Sequence, residues 1–212
     1  MAGSRLNAAP VAIVSKQYCS PEQVVLTVRQ RPQTVTGGGF VVTEDPTQKV
    51  VFRVEGCGVL GSQGELMVRD GDGAALLLVR RKEGVVQALS INRKWKGYSF
   101  DYEGVKKVVF KLKEPNSCWA RNSAIRISTE PRRSGGAGDW DFEVQGRFPD
   151  KCCTVVDHLG RIVAQVILNY GVEKGMRSMD VYYVVVKPGV DQAFVFGVIA
   201  VLDNIYGEST AC

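Results

Sequence analysis

The chain has 212 residues, 45% of them hydrophobic and 23% charged, with a formal net charge of +5. That is ordinary for a globular chain and excludes one too short or too polar to bury a sizeable core in one domain or two small ones. The moderate basicity, with a pI ≈ 8.9, favours anionic surfaces but leaves nucleic acid, anionic lipid and acidic proteins open.

Residues 1–21 are small and polar and are expected to form a loosely ordered, flexible N-terminal arm ending near Tyr18-Cys19-Ser20-Pro21. Ala8 to Val14 is too short, and too interrupted by Pro10, for a signal peptide. Ala2 replaces the glycine of a myristoylation signal, and Cys212 stands last rather than fourth from the end as prenylation requires. The cysteines Cys19, Cys57, Cys118, Cys152, Cys153 and Cys212 contain no Cys-x-x-Cys and have no histidine-rich partner segment, so no metal site is expected, and in the absence of a signal peptide they read as reduced cytosolic thiols.

After the arm a period-two pattern begins, the mark of half-buried strands. Val24, Leu26 and Val28 alternate with Val25, Thr27 and Arg29, and Val50, Phe52 and Val54 alternate with Lys49, Val51 and Arg53. Turn residues cut the runs into hairpins. Gly37-Gly38-Gly39 precedes Phe40 to Thr43, Asp45-Pro46 follows it, and Asp70-Gly71-Asp72-Gly73 joins Leu66-Met67-Val68 to Leu76-Leu77-Leu78-Val79.

Tyr98, Phe100 and Tyr102 share one strand face, and Val108, Phe110 and Leu112 share another, opposite Lys107, Lys111 and Lys113. Glu130 to Gly138 has no apolar anchor and reads as a mobile loop, and Asp139 to Gln145 alternates cleanly. Cys152 to Asp157 and Ile162 to Leu168 flank a turn at His158-Leu159-Gly160, with Cys152 and Cys153 on opposite faces of their strand. Asp180 to Lys187 is a further strand, giving about a dozen in all.

Val190 to Tyr206 reads as a helix, with Lys187-Pro188-Gly189 as its start signal, Asp191 in its first turn and Gly207 as its stop. From Ala193 to Leu202 it has no polar face, so it must be buried in lipid or in protein. A bilayer needs about 20 apolar residues, and this run is shorter, so Phe194, Phe196, Val198, Ile199, Val201 and Leu202 are assigned to a protein core. About 17 helical residues at ~1.5 Å each span ~25 Å, and a strand of about seven residues at ~3.3 Å spans ~23 Å. A barrel of roughly eight strands is filled by its own side chains, so a can of about eleven or more strands is required to hold the helix.

The blocks Val186-Lys187-Pro188-Gly189-Val190-Asp191-Gln192-Ala193-Phe194-Val195, Ile199 to Tyr206, Trp140 to Val144 and Gly160 to Val166 resemble the plant LURP-one-related family from about Tyr18 to Glu208. The resemblance implies a mainly β fold: a single tubby-like closed barrel of about twelve antiparallel strands around a central hydrophobic C-terminal α-helix, shared with tubby proteins and phospholipid scramblases. Residues 22–208 would form the barrel and 209–212 a short tail. It also implies a link to plant pathogen defence and a membrane-tethered transcription factor role, by analogy with tubby.

No enzyme signature emerges. His158, beside Asp157, reads as a turn residue rather than half of a Cys-His pair. Asp70 to Gly73 lacks the closing glutamate of a calcium loop, and Gly37 to Gly39 lacks the Gly-Lys-Ser/Thr of a phosphate loop. Scramblases carry an acidic calcium segment before their helix. Here Asp180 to Lys187 holds one carboxylate, too few for the six to eight oxygens calcium takes, so scramblase-like activity is a remote alternative. The tubby analogy points to phosphoinositide headgroups, for which the chain offers Arg80-Arg81-Lys82 and Arg93-Lys94-Trp95-Lys96. Trp95 itself reads as core or rim.

The expected protein is thus a non-enzymatic module, cytoplasmic, peripheral at the plasma membrane or nuclear, with no transmembrane span. It binds an anionic phospholipid surface or, alternatively, unidentified protein partners as a scaffold in defence signalling. It is expected to be a monomer without cofactor, and nothing in the sequence supports direct DNA binding.

Overall fold

The computed structural model describes residues 11–32, 38–56, 64–82, 94–101, 103–114, 124–133, 139–168, 180–206 and 210. Gly37, Cys57, Cys118, Gly207, Cys212, Tyr102, Arg93, the centre of the 130–138 loop and the first ten residues of the arm lie outside that set. The described residues hold twelve strands and one α-helix. The strands are β1 (Val24–Gln30), β2 (Phe40–Glu44), β3 (Lys49–Glu55), β4 (Glu65–Asp70), β5 (Ala75–Arg81) and β6 (Lys94–Phe100). They continue as β7 (Lys106–Lys113), β8 (Ile125–Thr129), β9 (Phe142–Arg147), β10 (Cys152–Asp157), β11 (Ile162–Leu168) and β12 (Val181–Val186). The helix is α1 (Gln192–Ile205).

Each strand pairs antiparallel with its sequence neighbours, and β1 also pairs with β12 through Val24↔Val186 and Leu26↔Val184. That last ladder closes the sheet into a barrel and leaves no open edge. The alternation holds where Leu26 and Val28, Phe52 and Val54, and Phe110 and Leu112 are buried while Arg29, Arg53, Lys111 and Lys113 are exposed, but Thr27 is buried as well, and a register shift in the β6–β7 ladder leaves Val109 rather than Val108 buried. β6 differs. Its inward face is Trp95 and Gly97, and the aromatics Tyr98 and Phe100 lie half-buried on the other register. β9 also starts later than the Asp139 to Gln145 pattern suggests, at Phe142; Asp141, just before it, still donates its amide to the Ile127 carbonyl at 2.8 Å, and its carboxylate accepts the Thr129 amide at 2.7 Å.

α1 fills the barrel. Every residue from Ala193 to Asp203 is buried, including all six assigned to the core. Phe196 lies 5.3 Å from Phe52 and 6.5 Å from Phe40 between ring centroids, and Phe194 lies 5.1 Å from Phe142 and 5.4 Å from Phe110. Two glycines make room. A Cβ on Gly197 would sit 2.3 Å from Leu77, and one on Gly97 would sit 2.3 Å from the Phe110 ring.

Two expectations are corrected. The helix begins at Gln192 rather than Val190, because Asp191 is its N-cap, extended in backbone and accepting the Phe194 amide. Residues 11–21 are not a loose arm: the Ile13, Val14 and Ser15 amides all donate to the same Asp191 oxygen, and Val11 forms a parallel bridge to Val190. Val11, Ile13, Val14 and Tyr18 pack against the core. A buried carboxylate needs donors, and three consecutive amides supply them.

Candidate functional site

The two basic clusters of the sequence fall on adjacent strands. β5 and β6 pair in the register Arg80↔Lys96 and Arg81↔Trp95, and the Lys82 amide donates to the Lys94 carbonyl at 2.8 Å. β6 and β7 continue the register as Lys96↔Lys111 and Lys94↔Lys113, and β7 and β8 as Lys111↔Ser128 and Lys113↔Arg126. Residues directly opposite across a ladder point to the same side, with strands ~4.8 Å apart. One row therefore runs Arg80, Lys96, Lys111 around the outside of the barrel, and a second runs Lys94, Lys113, Arg126 beside it, with Lys82 next to Lys94.

Like charges placed directly opposite destabilise a sheet, so a face built this way works against its own fold. Among the described residues, only the margins are neutralised by ion pairs. Arg80 meets Glu65 at 2.6 Å, Lys111 meets Glu130 at 2.5 Å and Arg126 meets Glu143 at 3.3 Å. Among the described residues, no carboxylate pairs with Lys82, Lys94, Lys96, Lys107 or Lys113. The hydrogen bond from Lys111, reinforced by its charge, holds the Glu130 carboxyl below its usual pKa.

Arg81 leaves this face. It follows the inward register at the end of β5, with its guanidinium 6.0 Å from the centroid of Trp95. Trp95 is fully buried and donates its indole N–H to Glu114 at 2.7 Å, so it is a core residue and not a membrane anchor. Arg93 lies outside the described residues. A shallow, open depression of about 580 Å³ is lined by Lys96, Lys107, Val108, Lys111, Glu130 and Pro131.

Elsewhere the structure assigns plain structural roles. The Asp70 carboxylate accepts the Asp72 and Ala74 amides and shapes its own hairpin turn. His158 is exposed. Burial pushes the Cys153 thiol up to about 12, away from nucleophilic chemistry. Among the described residues no group of three or more His, Cys, Asp or Glu side chains is placed to hold a metal ion.

The profile of the LURP-one-related family matches residues 24–203, the whole of the barrel from β1 to the last turn of α1. The chain belongs to the LURP-one-related family. It is 55% identical over 202 residues to Protein LURP-one-related 6 of Arabidopsis thaliana, covering 95% of this chain and 99% of that one. Protein LURP-one-related 16 of the same plant is 44% identical over 219 residues, covering 99% and 100%. An X-ray structure of a further Arabidopsis thaliana protein matches with a TM-score of 0.62 at 19% identity, covering 92% of this chain and 98% of that one, and shares the fold.

In this LURP-one-related barrel no helix among the described residues is long and apolar enough to cross a membrane. The basic face is wider than the two clusters named from sequence, because Lys107, Lys111, Lys113 and Arg126 join it. The alternation of β7 already turned Lys111 and Lys113 outward. What brings them to Lys96 and Lys94 is strand register.

Proposed function

We propose that this LURP-one-related protein is a non-enzymatic regulatory module that attaches reversibly and electrostatically to anionic membrane surfaces through the outer face of β5 to β8. The observation that carries the reading is the pair of in-register cation rows, Arg80-Lys96-Lys111 and Lys94-Lys113-Arg126. A fold that sets lysines opposite one another gains from a polyanionic partner that removes the repulsion, and each cation near such a surface contributes about 1 kcal/mol. Phosphoinositide headgroups, a cytoplasmic site peripheral to the plasma membrane, and a membrane-tethered transcriptional role in plant defence extend this reading by family resemblance. Every residue of α1 from Ala193 to Asp203 is buried inside the barrel, which favours the outer surface over the interior for docking a partner.

The test is co-sedimentation of purified protein with phosphatidylcholine vesicles, with and without phosphatidylserine, at low and high salt. Binding is expected only with the anionic lipid and is expected to fall with salt, since the Debye length shrinks from ~10 Å at 0.1 M to ~3 Å at 1 M. The triple variant Lys82→Gln/Lys94→Gln/Lys113→Gln removes three cations and is expected to weaken binding roughly 100-fold. Absence of binding at every lipid composition would replace this reading with an intracellular protein-interaction scaffold.

A further inference from the structure

The solvent face of an antiparallel sheet is ordinarily polar, and β4 to β7 depart from that rule. Val68, Val79, Gly97 and Phe110 are buried on the inner face, so the alternation turns Met67, Leu78 and Tyr98 outward. The ladders set these residues in one row around the outside of the barrel, Met67↔Leu78, Leu78↔Tyr98 and Tyr98↔Val108. Leu76 and Phe100 stand two residues further along β5 and β6 on the same side and widen the row into an apolar strip. The strip is recessed. Leu78 faces out yet is only 4% exposed, Met67, Tyr98 and Phe100 are half-buried, and Val108 lines the open depression beside Pro131.

Cations border the strip on both sides. Arg80, Lys96 and Lys111 form the next row on one side, and Lys106, paired with Phe100, lies on the other. Among the described residues, no carboxylate pairs with Lys96, Lys106 or Lys107. The carboxylates at the two ends of the strip, Glu55 and Glu130, are tied to Arg69 and Lys111.

We infer that this strip docks an acidic amphipathic helix of a partner protein, whose apolar side chains lie along Met67, Leu78, Tyr98 and Val108 and whose flanking carboxylates meet Lys96 and Lys106. Topology selects a helix. The barrel leaves no strand edge for an extended segment to join, so the occupant lays an apolar face into a groove. Length agrees: three strand spacings of ~4.8 Å cover ~14 Å, which about ten helical residues at ~1.5 Å each match. The recess favours a protein over a bilayer, because a protruding side chain reaches a floor that a flat surface passes over. Unpaired lysines on both borders require the partner to be acidic. This goes beyond the membrane reading and regulates it, since Lys96 and Lys111 belong to both surfaces and an acidic helix excludes the anionic bilayer.

The probe is a synthetic helix of about fourteen residues with leucine at i, i+4, i+7 and i+11 and glutamate on both flanks, titrated into full-length protein. Glutamine in place of the glutamates is expected to weaken binding about tenfold, and alanine in place of the leucines to abolish it. Val108→Glu, which keeps its place at the surface, is expected to weaken the probe about tenfold. Lys96→Glu stands between Arg80 and Lys111, so it relieves like-charge repulsion and keeps the fold. It is expected to weaken the glutamate helix about tenfold and to gain binding of a helix with lysine on its flanks. The glutamate helix is also expected to release wild-type protein from phosphatidylserine vesicles. Equal binding of the glutamate and lysine helices by the wild type overturns the inference, as does unchanged affinity in Val108→Glu with a wild-type circular dichroism spectrum. Vesicle binding without helix binding overturns it and leaves the membrane reading standing, and absence of both sinks both.

Discussion

The Asp191 Oδ2 atom lies 2.6 Å from the Val14 amide nitrogen and also accepts the amides of Ile13 and Ser15, both at 2.9 Å, while Oδ1 accepts the Phe194 amide at 3.2 Å. One buried side chain thus caps the central helix and fastens the N-terminal segment across the barrel mouth. Asp191→Ala strands four amides, and at about 1.5 to 3 kcal/mol for a hydrogen bond to a charged group the loss is expected to exceed about 3 kcal/mol. Asp191→Asn keeps an acceptor and is expected to lose less. Chemical denaturation measures both, and hydrogen exchange is expected to speed at residues 13–15 in the alanine variant.

The core helix provides a harsher test. Phe196 is fully buried against Phe52 and Phe40, so Phe196→Asp places an unpartnered carboxylate in an apolar interior and is expected to leave the domain unfolded. Phe196→Ala is expected to cost about 3 to 5 kcal/mol. A thermal melt of Phe196→Asp that matches the wild type would remove the helix from its central role.

Gly97 and Phe110 face each other across the β6–β7 ladder, and a Cβ at residue 97 would approach three ring atoms at 2.3 to 2.6 Å. Gly97→Ala is expected to destabilise by about 1 to 3 kcal/mol through overpacking. Combining it with Phe110→Leu is expected to cost less than the sum of the two single changes, because the smaller side chain vacates the clash. Strict additivity in a denaturation series would show that the contact is relieved elsewhere.

Asp157 supplies a pH signature. Burial pushes its carboxyl up, but the side-chain and backbone hydrogen bonds from Arg161 and the Leu159 amide more than offset this and bring it below 3.8. A depressed folded pKa contributes stability that is present above the unfolded value and is lost as the pH falls through the folded one. The stability gap between wild type and Asp157→Asn is expected to hold from neutral pH to about 5 and then to close on further acidification. A gap independent of pH down to about 2 would remove the charge from the account.

The barrel was legible in the sequence because its strands alternate and its helix does not. Leu26, Val28, Phe52 and Val54 announce one face of a strand, and Ala193 to Leu202 announces a helix with nothing to show to water. One error lies where a side chain serves the backbone of a distant segment. Asp191 looked like a first-turn residue, since nothing local shows that it will meet Val14. The basic face was half legible for the same reason. Arg80 and Lys96 stood out as local clusters, but Arg81 follows the inward register onto Trp95, and Lys111 joins only through pairing with β6.

The closure of the barrel also sets an order of events. β1 finds one partner, β2, next in the chain, but its other partner, β12, immediately precedes α1. During synthesis, eleven strands leave the ribosome with their apolar faces uncovered before β12 seals the sheet and α1 fills it. Pairing between the far ends of a chain pays its loop-closure entropy late, so such topologies fold slowly and stay exposed to aggregation while they wait. Loss of the segment after β12 would leave that interior unfilled.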